Sequence, residues 1–123
     1  ASRALVVDRG AHPTLRVQYD LSNIVELTGE WSSENQRGFV VWNVLTEDAE
    51  HTLQEIHNMV EYGVMEGLDD VMKDLENPDL KFGNIQVDAW HVLHFTTTSA
   101  SLAETLLSNC QNATAALFEG KPS

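Results

Sequence analysis

Residues 39–45 read Phe-Val-Val-Trp-Asn-Val-Leu, and no other run restricts the choice of fold so tightly. In a strand, side chains alternate between the two faces. Phe39, Val41 and Leu45 therefore share one face with Asn43, while Val40, Trp42 and Val44 share the other. Both faces are apolar. A strand of this kind belongs in the middle of a sheet, covered on both sides.

A second run, 84–97, behaves in a similar way. Ile85, Val87, Ala89, Leu93 and Phe95 share a face with His91, and Trp90 and Val92 share the other with Gln86, Asp88 and His94. If the two runs lie side by side, Val40, Trp42, Val44, Trp90 and Val92 form one apolar surface with His94 at its border. That surface is the candidate pocket or interface. Asn43 and His91 become a buried polar pair on the opposite face.

The remaining strands come early. Residues 4–8 form a short β-branched run. Leu15, Val17, Tyr19 and Leu21 alternate with Arg16, Gln18 and Asp20, which predicts a strand over 14–21 with one wet face. Ser22-Asn23 turns the chain into a third strand over 24–30, and the polar stretch 32–36 leads to the central strand, 38–45.

Two helices follow from 3.6-residue periodicity. Ala49, Leu53, Ile56, Val60, Val64, Leu68, Val71 and Leu75 lie on one stripe, so a single helical segment is predicted over 47–76, starting near Thr46 and ending at Asn77-Pro78. Thirty residues of helix would measure about 45 Å. The helix is therefore expected to kink at Gly63 and Gly67 or to project beyond the sheet. Ser101-Leu102-Ala103-Glu104 matches a capping box and opens a last helix over 101–118, with Leu102, Leu106, Cys110, Ala113 and Leu117 inward. The short early links favour antiparallel pairing. The expected class is α+β, one domain over 1–123: a largely antiparallel sheet of four or five strands, backed by one long kinked helix and a C-terminal helix.

Charge limits the partners. The chain of 123 residues carries 19 acidic and 7 basic residues, a formal charge of −12. Nucleic-acid binding needs a basic patch, which this chain lacks, so no nucleic-acid partner is expected. No apolar run approaches the ~20 residues of a membrane helix, and no membrane partner is expected either. Residues 46–80 hold eleven acidic residues against one lysine. Such a face can simply keep a helix solvated, or it can dock a basic protein, as in an immunity protein or a secretion chaperone. One cysteine, Cys110, excludes an intrachain disulfide and points to a reducing, cytoplasmic setting.

Catalytic and metal constellations are weak. His51 with Glu55 and His57 with Glu61 are i,i+4 pairs on the long helix, each worth about 0.3 kcal/mol as a surface pair. His51 and His57 fall on different helix faces, and no His-Glu-x-x-His pattern occurs, so no metal and no cofactor are expected. His57 lies near the apolar stripe and reads as a buried polar group that needs a partner. His91 and His94, three apart on a strand, point to opposite faces and cannot chelate one ion together. No nucleophile elbow or phosphate-binding glycine loop is present.

The expected function is that of a small, acidic, non-enzymatic interaction protein, a homo-oligomer that binds another protein. The alternative is a small-molecule-binding protein or minimal enzyme, with a pocket between sheet and long helix lined by Trp42, Trp90, His57 and His91 or His94.

Overall fold

The computed structural model describes residues 5–8, 13–66, 79–85 and 90–119. Six strands form one antiparallel sheet: β1 (Leu5–Asp8), β2 (Thr14–Leu21), β3 (Val25–Ser32), β4 (Arg37–Val44), β5 (Asp79–Ile85) and β6 (Trp90–Thr96). Their spatial order is β1-β2-β3-β4-β6-β5. Between β4 and β5 lies α1 (Ala49–Met59), which continues as a π-helical turn over Val60–Met65. The chain's last described element is α2 (Ala100–Glu119). The α+β class and the antiparallel sheet stand as expected. The count of strands does not, because β5 opens at Asp79, ahead of the run taken as one strand over 84–97, and pairs antiparallel with β6 inside that run.

Both described helices pack on one face of the sheet. That face is built from Leu15 and Val17 of β2, Val25, Leu27 and Trp31 of β3, Val40, Trp42 and Val44 of β4, and Leu93 and Phe95 of β6, all buried. Ile56, Val60 and Val64 close the core from the α1 side, and Ala103, Leu106, Leu107 and Cys110 from α2. Gly29 lets α2 approach: a Cβ there would stand 2.8 Å from Cδ2 of Leu107.

The sequence set the alternation within β4 and β6 correctly but the pairing between them wrongly. Trp42 pairs with His91, and Val41 with Val92. Val40, Trp42 and Val44 thus lie on the helix-covered face, while Val92 and His94 belong to the other, and Trp90 is paired with Asn43. A shift of one residue exchanges the faces of a whole strand, and nothing in either strand's own alternation fixes that choice. The proposed Asn43–His91 pair is undone by the same shift.

Helix ends also differ from expectation. α1 begins after Asp48, whose carbonyl accepts the N–H of Thr52. Thr46 makes no cap, and its hydroxyl lies 3.3 Å from that of Thr52. In the π-helical turn, Val60 and Val64 both stay buried, while Gly63 has no atom within 4 Å of its would-be Cβ. The turn widens where a kink was expected. Gly67, Leu68, Val71 and Leu75 lie outside the described residues.

α2 starts two residues earlier than the capping box implied. Ser99 is its N-cap: its Oγ accepts the N–H of Leu102 at 3.1 Å, and its carbonyl accepts the N–H of Ala103. Ser101 is exposed inside the first turn. The preceding residue pair explains the shift. Thr97 Oγ1 accepts the N–H of Ser99, while the Thr97 carbonyl accepts the indole N–H of Trp31 at 3.1 Å. Sheet and helix are thereby joined at a fixed point.

Candidate interaction face of the sheet

Of the sheet's two faces, one carries both described helices. The other has a regular layout that follows from the register. At one end stand Arg16, Glu30, Phe39 and His94, side by side on β2, β3, β4 and β6. Arg37 lies one step further out, beside Thr96. The middle row is Gln18, Thr28, Val41 and Val92, and the far row is Asp20, Glu26 and Asn43. Each row is two residues from the next, about 6.7 Å along the strands.

Exposure decides which parts matter. Arg16, Gln18, Asp20, Glu26, Arg37 and His94 are exposed; Thr28, Phe39, Val41 and Asn43 are half-buried; Val92 is buried. Glu26, Thr28, Phe39, Val41 and Asn43 line a shallow depression of about 220 Å³. Pockets for drug-sized ligands run from about 300 Å³ upward. The depression is therefore small for an enclosed ligand and suits a single side chain.

The location proposed from sequence for a pocket, between sheet and long helix, is filled by rings. His91 is completely buried. Its ring centroid lies 5.8 Å from that of Trp42 and 5.6 Å from that of His57, the latter edge-on. His57 in turn reaches Glu61, with Nε2 to Oε2 at 3.2 Å, at the half-exposed rim of α1. His51 and Glu55 form the corresponding surface pair. Burial, and secondarily the neighbouring His57, lower the His91 pKa to about 4, so the ring is neutral at pH 7. A neutral ring packed against Trp42 serves the core. Cys110 is buried, and its thiol is pushed up by burial alone, which leaves it protonated and unreactive.

Among the described residues, no three His, Cys, Asp or Glu side chains gather as metal ligands. Nor is any described helix long and apolar enough to cross a membrane.

Of the residues selected from sequence, the structure keeps Val92 and His94 on the open face, brings Asn43 there from the face expected to lie under the helices, and moves Val40, Trp42 and Val44 into the core. It brings His57 and His91 together, as the pocket reading required, but around a packed interior. Sequence reasoning missed Glu26, Thr28, Phe39 and Val41. Their signal was present in the β4 alternation, where Phe39 and Val41 oppose Trp42, but that face was assigned to the helices.

The chain matches no protein-family model, no curated protein and no solved structure.

Proposed function

We propose that this is a non-enzymatic interaction protein that self-associates through the open face of its sheet. One observation carries the reading. At the centre of that face the half-buried Phe39 and Val41 stand beside the buried Val92 on adjacent strands, and no described helix covers them. Contiguous apolar surface on a sheet marks contact sites, and two sheets stack stably about 10 Å apart. In a chain of charge −12, contact between copies is least opposed where charge is sparse. These three positions meet that condition.

The outer side of α1 and of the π-helical turn that continues it, with Glu50, Glu55, Glu61 and Glu66, stays clear of such a contact. A basic protein partner would find its strongest charge complementarity there. A single buried thiol is compatible with action in the cytoplasm.

Light scattering of the eluting protein tests the reading. A mass above the 13.7 kDa of one chain is expected, returning to 13.7 kDa in Val41→Glu and in Thr28→Lys with far-ultraviolet circular dichroism unchanged. A monomer mass for the unaltered protein up to the highest accessible concentration overturns it. So does association that survives both substitutions.

A further inference from the structure

We infer that the outer edge of β5 pairs antiparallel with the β5 edge of a second copy, joining the two sheets into one. This contact is separate from the sheet-face contact proposed above and does not depend on it.

The two edges of the sheet are unlike. The β1 edge is blunted: the strand has four residues, and its pairing with β2 slips between Val6 and Asp8. Short or irregular edge strands are a means by which sheets avoid pairing with other chains. β5 has neither device. It runs over seven residues, Asp79–Ile85, where a usual strand has about five or six. Its register with β6 is unbroken, from Asp79 opposite Thr96 to Ile85 opposite Trp90. In an antiparallel ladder, alternate residues turn their N–H and C=O groups to the partner strand, and those between turn them away. β5 therefore holds an outward row of backbone donors and acceptors, and no described strand pairs with it.

Any extended backbone can fill such a row, and charge separates the occupants. Asp79 and Lys81 cancel, so β5 is neutral within a chain of charge −12. Two copies of so acidic a chain repel least along a neutral segment. A basic foreign segment gains no attraction from it. The strand also suits itself. Closed dimers are two-fold symmetric, and each patch meets itself reversed. A two-fold axis normal to the sheet beside Phe82 sets Asp79 opposite Ile85 of the second copy, Leu80 opposite Asn84 and Lys81 opposite Gly83. The whole strand, Asp79–Ile85, is then engaged. No like charges stand directly opposite each other, an arrangement that would weaken the pairing. Lys81, a residue type that guards exposed edges, meets a glycine and not a second lysine.

Hydrogen–deuterium exchange over a series of protein concentrations tests the contact, with mass measured alongside. Strand pairing hides amides that face water in the single chain, whereas stacked sheet faces add no backbone hydrogen bond. Exchange across 79–85 should slow at least about tenfold from dilute to concentrated protein. Residues 37–44, already paired on both sides within the chain, should not change. Lys81→Glu leaves the strand with two negative charges and should return exchange at 79–85 to the dilute rate. Asp79→Lys combined with Lys81→Glu makes it neutral again and should recover the slowing to within about threefold. Circular dichroism confirms that each variant folds. Exchange at 79–85 that ignores concentration while the mass rises overturns the edge contact and leaves the sheet-face reading to Val41→Glu. Slow exchange along the whole strand in a monomer means that the chain covers its own edge, and overturns the contact too. A protein that stays monomeric at every concentration overturns both contacts.

Discussion

Trp42 of β4 donates its indole N–H to the hydroxyl of Thr114 on α2 at 2.9 Å, and both residues are buried. The same hydroxyl donates to the carbonyl of Cys110, one turn earlier, at 2.6 Å. One threonine therefore satisfies the largest polar group in the core and fixes α2 against the central strand. Thr114→Val keeps the shape and removes both bonds. It should cost about 1–3 kcal/mol, the penalty for a buried donor left unmade, while Thr114→Ser should retain most of the stability. Urea unfolding monitored by tryptophan fluorescence measures both. Equal stability of the valine variant and the parent would show that the bond contributes nothing net.

The N-terminus of α2 gives a paired comparison. Ser99→Ala removes the oxygen that accepts the Leu102 N–H and should destabilise by about 1 kcal/mol. Ser101→Ala, in an exposed position within the first turn, should stay within about 0.5 kcal/mol of the parent. The reverse order in thermal unfolding would return the cap to Ser101.

These examples show where the sequence is legible. Periodicity belongs to a segment, so the inward positions of β2, the alternation within β4 and the stripe from Ile56 to Val64 could be read directly. Pairing belongs to two segments at once. Whether Trp42 faces His91 or Trp90 depends on where the β4 and β6 backbones engage, and an apolar residue at either parity fits both answers. The candidate face inherited that ambiguity: the right kind of surface was expected, on the wrong side of the sheet. The cap failed for a related reason. Ser99 and Ser101 are both competent, and the tie is broken by Thr97, whose carbonyl is held by Trp31, 66 residues earlier in the chain. β5 escaped notice because Lys81 and Gly83 interrupt its apolar run, and no glycine or proline within 84–97 separates its last residues from β6.

Gly38 tests how closely the β4 edge of the core is fitted. It pairs with Phe95 on one side and Trp31 on the other. A Cβ there would collide with the Phe95 ring and stand 2.8 Å from the Glu30 carbonyl oxygen. Backbone cannot yield as a flexible side chain does, so Gly38→Ala should cost about 1–3 kcal/mol through overpacking. Gly63→Ala, with open space around it, should be neutral or stabilising by up to about 1 kcal/mol through helix propensity. Chemical denaturation of the two variants checks the contrast, and a harmless Gly38→Ala would mean that β4 and β6 can separate locally at no cost.

His91 should make stability fall in mild acid. Its folded-state pKa is lowered from 6.5 to about 4, first by burial and second by His57. Above pH 6.5 the ring is neutral in both folded and unfolded chains, and its contribution is complete. Between pH 6.5 and about 4 the unfolded chain binds a proton that the folded chain refuses, so stability declines as pH falls. The loss levels off below the folded pKa, at about 3 kcal/mol, since each pKa unit corresponds to about 1.4 kcal/mol. The contribution of the imidazole is isolated by comparison with a variant that lacks it. His91→Phe fits a site already bounded by the rings of Trp42 and His57 and cannot titrate. Urea unfolding of both proteins at half-unit steps from pH 7.5 to 4.5 should show the parent losing stability faster, with most of the divergence arising below pH 6.5. Parallel pH profiles would mean that His91 takes up its proton in the folded protein as readily as in the unfolded one, and that the ring cluster under α1 is open to water.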